Sequence, residues 1–151
     1  MRCLLFLFLL MPLTAQAVNQ EEVPITPGQV IQRTNQERVA RNLAPLVANE
    51  KLNKAAYAKA LYILHRQRFS HDGWESFIRQ SGYNYCSAGE NLGLNQTQAS
   101  EVVEAWMMSP SHRANLLKGK YREIGVAVVR GKYKSINDAT IIVQMFGSRC
   151  M

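Results

Sequence analysis

Two apolar runs near the C-terminus, Ile124-Gly-Val-Ala-Val-Val129 and Thr140-Ile-Ile-Val-Gln-Met-Phe146, decide the fold. Side chains alternate along a strand, so Ile124, Val126 and Val128 share one face and Gly125, Ala127 and Val129 the other. Neither face is polar, and a sheet built on these runs needs cover on both sides. The polar segment 131–138 between them reads as a hairpin-like loop.

The cover has to come from upstream, where the period is helical. Thr26-Pro27-Gly28-Gln29 reads as a capping box with proline at the first helical position. In the helix that follows, Ile31, Asn35, Arg38, Val39 and Asn42 share a face, and Asn35 and Arg38 are expected to bond to buried backbone. Pro45 bars helix at Ala44, and Asn49 caps a second helix with Leu52, Ala55, Ala56, Lys59, Ala60 and Ile63 on one side. That helix is expected to end near Phe69, with His65 on its surface and His71 just beyond it. A short helix over 74–81 stops at Gly82, and a short strand leads into Gly89-Glu90-Asn91. Thr97 or Ser100 starts a helix carrying Val102, Val103, Trp106 and Met107, which Pro110 ends; one more turn over 111–118 stops at Gly119. Helices mostly first and strands mostly last predict an α+β fold, a three-layer α-β-α sandwich with a small antiparallel sheet between helices.

The N-terminus stands apart. Arg2, the apolar run over 4–11, Pro12 and Ala15-Gln16-Ala17 have the layout of a cleaved signal peptide, and the run is too short for a spanning helix. Cleavage after Ala17 leaves a mature chain of 134 residues (151 minus 17), secreted or periplasmic. Residues 18–27 read as a flexible lead-in and 28–151 as the domain. Cys3 leaves with the signal and precedes the apolar run, so it is no lipoprotein cysteine. Cys86 and Cys150 remain, and an oxidising compartment makes them a disulfide. The formal charge of +7 becomes +6 without Arg2, spread as a solvated basic surface with weak attraction for anionic envelopes or polysaccharides. The sequence carries no nucleic-acid motif. The triplet Asn95-Gln-Thr97 fits a glycosylation acceptor, which matters only in a eukaryotic host.

Two of the three histidines fall in short stretches with chemistry: Phe69-Ser-His71, Gly89-Glu-Asn-Leu92 and Trp106-Met-Met-Ser-Pro-Ser-His-Arg-Ala-Asn-Leu116. With Asn35-x-x-Arg38, Leu43-Ala-Pro-Leu46 and Ile124-Gly-Val-Ala, they resemble in order the CAP superfamily, the SCP-like extracellular domains of cysteine-rich secretory proteins, in its compact bacterial branch. The resemblance spans about 28–147 and implies the same α-β-α sandwich. It also implies a central cleft in which two histidines and two glutamates bind a divalent metal such as Zn2+ in some members. His71, Glu90 and His112 match three of those positions. The fourth falls at Met107-Met108-Ser109, where no carboxylate stands, leaving Glu101 or Glu104 as candidates to approach the cleft.

Two imidazoles and a carboxylate can hold zinc with a position open for water, and such a water can act hydrolytically. Glu90 can instead orient a histidine from behind. Ser109 and Ser111 flank Pro110 as turn and cap residues rather than nucleophiles. Three function classes follow. One is a binding module for lipid, sterol or envelope components, a ligand class the resemblance implies. The second is a metal-dependent hydrolase using His71, Glu90 and His112. The third is a protein-interaction effector acting through loops such as 131–138.

Overall fold

The computed structural model describes residues 24–150; the signal peptide read over 1–17 and the first part of the lead-in lie outside them. Among the described residues, five helices and four strands follow in the order α1 (Pro27–Val39), β1 (Val47–Ala48), α2 (Glu50–Arg66), α3 (Trp74–Gln80), β2 (Ser87–Leu94), α4 (Ala99–Met108), α5 (Pro110–Leu116), β3 (Glu123–Tyr133) and β4 (Ile136–Ser148). The sheet order is β1-β3-β4-β2. β2, β3 and β4 run antiparallel, whereas β1 adds a two-residue parallel edge, Val47 and Ala48 against Glu123 and Ile124. Two residues are too few to show a period, and this edge lies between the Leu43–Leu46 segment and the Asn49 cap without a sequence signal of its own.

The alternation read in the last third holds. Ala127, Ile141, Val143 and Met145 face α2 and α3, packed on Leu52, Ala56, Ala60, Ile63 and Ile78. Ile124, Val126, Ile142 and Phe146 face α1, α4 and α5, packed on Val30, Val102, Trp106 and Leu116. Each such aliphatic side chain contributes about 1.5–3 kcal/mol when taken out of water, so two sealed cores hold the three layers together. The six positions expected on the inward side of α2 are all buried. Close packing there depends on Gly125, where a Cβ would stand 2.2 Å from the Leu52 carbonyl carbon.

Several expectations need correction. Segment 131–138 is strand except for a tight turn at Lys134 and Ser135, where Lys134 takes the left-handed conformation at φ 51°. Its polar side chains hide the period because, within 131–138, the two-stranded ribbon buries Tyr133 alone and leaves the other side chains partly or fully solvated. On α1 the buried stripe is Val30, Thr34 and Arg38, while Val39, one position round the helix, is 57% exposed. α2 stops at Arg66, before Phe69, because Gln67 turns left-handed at φ 53°. Gln98, not Thr97 or Ser100, caps α4, and its backbone N–H donates to Glu101 Oε2 at 3.2 Å. Pro110 both bars α4 and begins α5, with Ser109 extended between them. Ile25, placed in the lead-in, is buried in the core on the α1 side, so the packed unit starts before residue 28. Gly89-Glu90-Asn91 lies within β2 rather than after it.

Candidate functional site

The site begins with an edge strand, three of whose outward carbonyls accept bonds from side chains of α4, α5 and the segment after α5. β2 pairs only with β4, and its other edge would expose alternate carbonyls. Tyr121 Oη donates to Ala88 O (2.8 Å), Asn115 Nδ2 to Glu90 O (3.0 Å) and Trp106 Nε1 to Leu92 O (2.8 Å). Glycine is required at 89 for this approach, since a Cβ there would meet Tyr121 Oη at 2.3 Å. Asn91 continues the lock: its Nδ2 donates to His112 O and to Gln144 Oε1, both 3.2 Å, and its Oδ1 accepts from Asn115 Nδ2 at 3.0 Å. Gln144 Nε2 in turn donates to Thr34 Oγ1 at 2.9 Å, so a buried amide chain ties α5 through the sheet to α1. These bonds seat His112 beside β2.

The far end of α5 is held by Arg38, which donates to the carbonyls of Ala44 (3.0 Å), Leu116 (2.8 Å) and Lys118 (3.2 Å). Asn35 exchanges two bonds with the Leu46 backbone, at 2.9 and 2.8 Å. Both side chains therefore bond to backbone, as their inward placement required.

His71 arrives from the other layer, on the loop after α2. Its Nδ1 lies 2.8 Å from Glu90 Oε1. Because alternate β2 residues face opposite ways, Glu90 points away from Asn91, into the layer of α2 and α3. The Glu90 side chain is 1% exposed and that of His71 54%, so the ring covers the carboxylate and meets solvent itself. His112 stands across the cleft with ring centroids 6.1 Å apart, and Ser109 Oγ lies 2.9 Å from its Nδ1. The ring nitrogen left over on each histidine is Nε2. The cleft has a volume of about 290 Å³ and is lined by His71, Glu90 and His112 together with Trp74, Ser111, Asn115 and Lys118. His71, Glu90 and His112 thus meet in one place, from three separate elements.

Burial raises the Glu90 pKa, opposed by the His71 bond and by the charges of Lys59 and His71. Burial lowers that of His112, with the nearby His71 charge acting in the same direction. An ionised Glu90 can only accept, so Nδ1–H of His71 donates, and in the neutral ring that tautomer leaves Nε2 as the bare nitrogen. This is the arrangement in which a carboxylate orients an imidazole. With Oε1 committed to His71, Glu90 stands behind the histidine. Among the described residues no group of three His, Cys, Asp or Glu side chains is arranged to hold a metal ion.

Glu101 and Glu104 do not enter the cleft. Glu101 accepts from the Thr97 and Gln98 backbone at the start of α4. Glu104 is 62% exposed and pairs with Arg33. His65 sits in the last turn of α2, away from the cleft. Cys86 and Cys150 form a disulfide across the paired ends of β2 and β4, where Cys86 N also donates to Ser148 O at 2.9 Å. Sequence reasoning missed Trp74, Asn115, Tyr121 and Lys59 as site residues. For Lys59 a signal existed: a lysine among the alanines of a buried helical face.

The description of the cysteine-rich secretory protein family, CAP, matches residues 31–146. The chain belongs to the CAP family. This CAP domain is 34% identical over 128 residues to the uncharacterized protein YkwD of Bacillus subtilis, a match covering 78% of this chain and 50% of YkwD. Its fold is similar to an SCP-domain extracellular protein of Bacillus anthracis, at TM-score 0.70 and 23% identity, over 82% of this chain and 40% of that one. An outer surface protein of Borrelia burgdorferi matches with TM-score 0.70 and 23% identity, over 80% and 90% of the two chains. The chain therefore spans half the length of YkwD and less of the B. anthracis protein. The related domains are described as extracellular or on an outer surface, and among the described residues no helix is long and apolar enough to cross a membrane.

Proposed function

We propose that this CAP domain is exported and works as a binding module, with the His71–His112 cleft as its recognition site. The observation that supports this is the fixing of both rings through Nδ1, by Glu90 and by Ser109, which leaves two Nε2 atoms as presented groups. A divalent cation such as Zn2+ suits that pair, supplying Lewis acidity when bound. Lys118 on the rim and the basic surface favour an anionic or polar head group, as carried by lipids and envelope components. Within the chain, Glu90 holds His71 in one tautomer, Asn91 and Asn115 hold the helix of His112, and Trp74 gives the cleft an apolar wall.

Native mass spectrometry with and without Zn2+, on the parent and on His71→Ala/His112→Ala, tests the cation part. One ion bound by the parent and none by the double variant is expected; equal binding by both refutes it. Co-sedimentation with vesicles containing anionic lipid tests the head-group part. Binding that is indifferent to the double substitution would remove the cleft from recognition.

A further inference from the structure

We propose that Lys59 is a positioning residue of this cleft: its buried ammonium, bonded to the Asp72 carbonyl, holds the loop after α2 so that His71 stays on Glu90. Lys59 is 0% exposed on the inward side of α2, between Ala56 and Ala60. An apolar side chain of similar length would serve packing better there, because a buried charge loses its hydration. The lysine is therefore explained by what its charge touches. Nζ donates to Asp72 O at 2.8 Å, one residue from His71. It also lies 5.9 Å from the Tyr62 ring centre and 5.7 Å from that of Phe77, which form an aromatic cradle around the ammonium.

Apart from Lys59, the backbone at this point makes only local bonds, Trp74 N to His71 O and Asp72 N to Ser70 Oγ, both 3.4 Å. The side chains of His71 and Asp72 are more than half exposed, and the Arg68–Asp72 pair at 2.7 Å lies at the surface. Gln67 and Gly73 both take left-handed conformations, so the chain reverses sharply at each end of the segment. Gln67 ties the start of the segment to the β3–β4 hairpin through Lys132 O (2.9 Å) and Lys134 N (2.5 Å), and Phe69 N donates to Tyr133 Oη (3.1 Å); nearer His71 the anchors to other elements are Lys59 on Asp72 O and the His71–Glu90 bond itself. Lys59 bonds the backbone beside His71 and leaves Glu90 Oε1 for the imidazole. Its positive charge also compensates the buried carboxylate. One lysine therefore serves both partners of the His71–Glu90 pair without competing for either.

This deepens the cleft reading and rests on it for any effect on ligand binding. Its structural half is tested without a ligand. Protein labelled with 15N-histidine is compared by long-range 1H–15N NMR as parent, Lys59→Met and Lys59→Arg, with circular dichroism confirming folding. The Nδ1–H signal of His71 is expected to be sharp in the parent. In Lys59→Met it should be lost, with the ring averaging between tautomers, while the His65 signals stay in place; Lys59→Arg should retain or partly restore it. Zn2+ affinity, where the parent binds the ion, should fall about 10-fold in Lys59→Met. A folded Lys59→Met with an unchanged His71 signal overturns the proposal. If Lys59→Met does not fold, Lys59→Gln takes its place in the comparison. Collapse of both assigns Lys59 to the core alone and overturns the proposal as well. A parent that binds no Zn2+ sinks the cation reading and leaves the His71 result to decide this one.

Discussion

Gly125→Ala is expected to damage this fold more than a single methyl group suggests. The added Cβ would stand 2.2 Å from the Leu52 carbonyl carbon, 2.3 Å from Asn53 N and 2.5 Å from Leu52 Cβ. Two of those atoms are backbone, so no side chain can swing aside, and α2 must retreat by about 1 Å to reach the 3.4 Å at which ordinary contact begins. Extra volume in a packed core costs about 1–3 kcal/mol, and a backbone obstruction belongs at the upper end. The retreat also stretches the bond from Val126 N to Asn53 Oδ1, now 3.0 Å, worth about 1 kcal/mol more. Together the loss is about 3–4 kcal/mol. Gly28→Ala is the control, since a Cβ there meets nothing within 4 Å and alanine favours helix by up to about 1 kcal/mol. Urea unfolding followed by circular dichroism measures both. With an m-value of about 2 kcal/mol/M, the Gly125→Ala midpoint should drop by about 1.5–2 M while that of Gly28→Ala stays or rises. A Gly125→Ala protein within about 0.5 kcal/mol of the parent would refute the close-packing argument, because such small effects are those of uncoupled surface changes.

Two further outcomes follow from the site and its staple. His112 has its pKa pushed below the ordinary 6.5 by burial and by the His71 charge, so the unfolded chain takes up the proton first as pH falls. Its contribution to stability is full above 6.5 and declines as pH drops through the folded value. Glu90, raised by burial, acts in the opposite sense: its contribution is present below 4.5 and lost as pH rises through the folded value. The melting temperature of the parent relative to His112→Gln should therefore fall as pH drops below 6.5, and a constant difference would refute the shift. Removing the Cys86–Cys150 bridge by Cys86→Ser/Cys150→Ser opens a loop with a sequence separation of 64. The chain-entropy relation puts the loss at roughly 4 kcal/mol in urea unfolding; undiminished stability would show that the bridge constrains nothing.

Local chemistry made much of this protein legible before any coordinates. The capping box at Thr26 and Gln29 forms as read, since it needs only four consecutive residues. The inward face of α2 and the alternation of β3 and β4 also follow from short-range period. Reading failed where an element was too short or too polar to show a period. β1 has two residues. The outer part of the β3–β4 hairpin, over 131–138, buries only Tyr133, and backbone pairing more than burial makes it strand. The start of α4 offered several polar residues, and which of them caps was decided by the reach of Glu101.

The three stretches bearing His71, Glu90 and His112 were visible as candidates, yet their roles were not. By itself the sequence determined the layers, the two covered sheet faces and the residue types able to bind a cation, because these depend on period and composition. Tertiary structure alone decided that Glu90 bonds His71, that Ser109 takes the place beside His112, and that Lys59 lies beneath the His71 loop. The physical reason is that a hydrogen bond between residues 19 apart leaves no trace in local period. It depends on the distance set when two layers close over an edge strand.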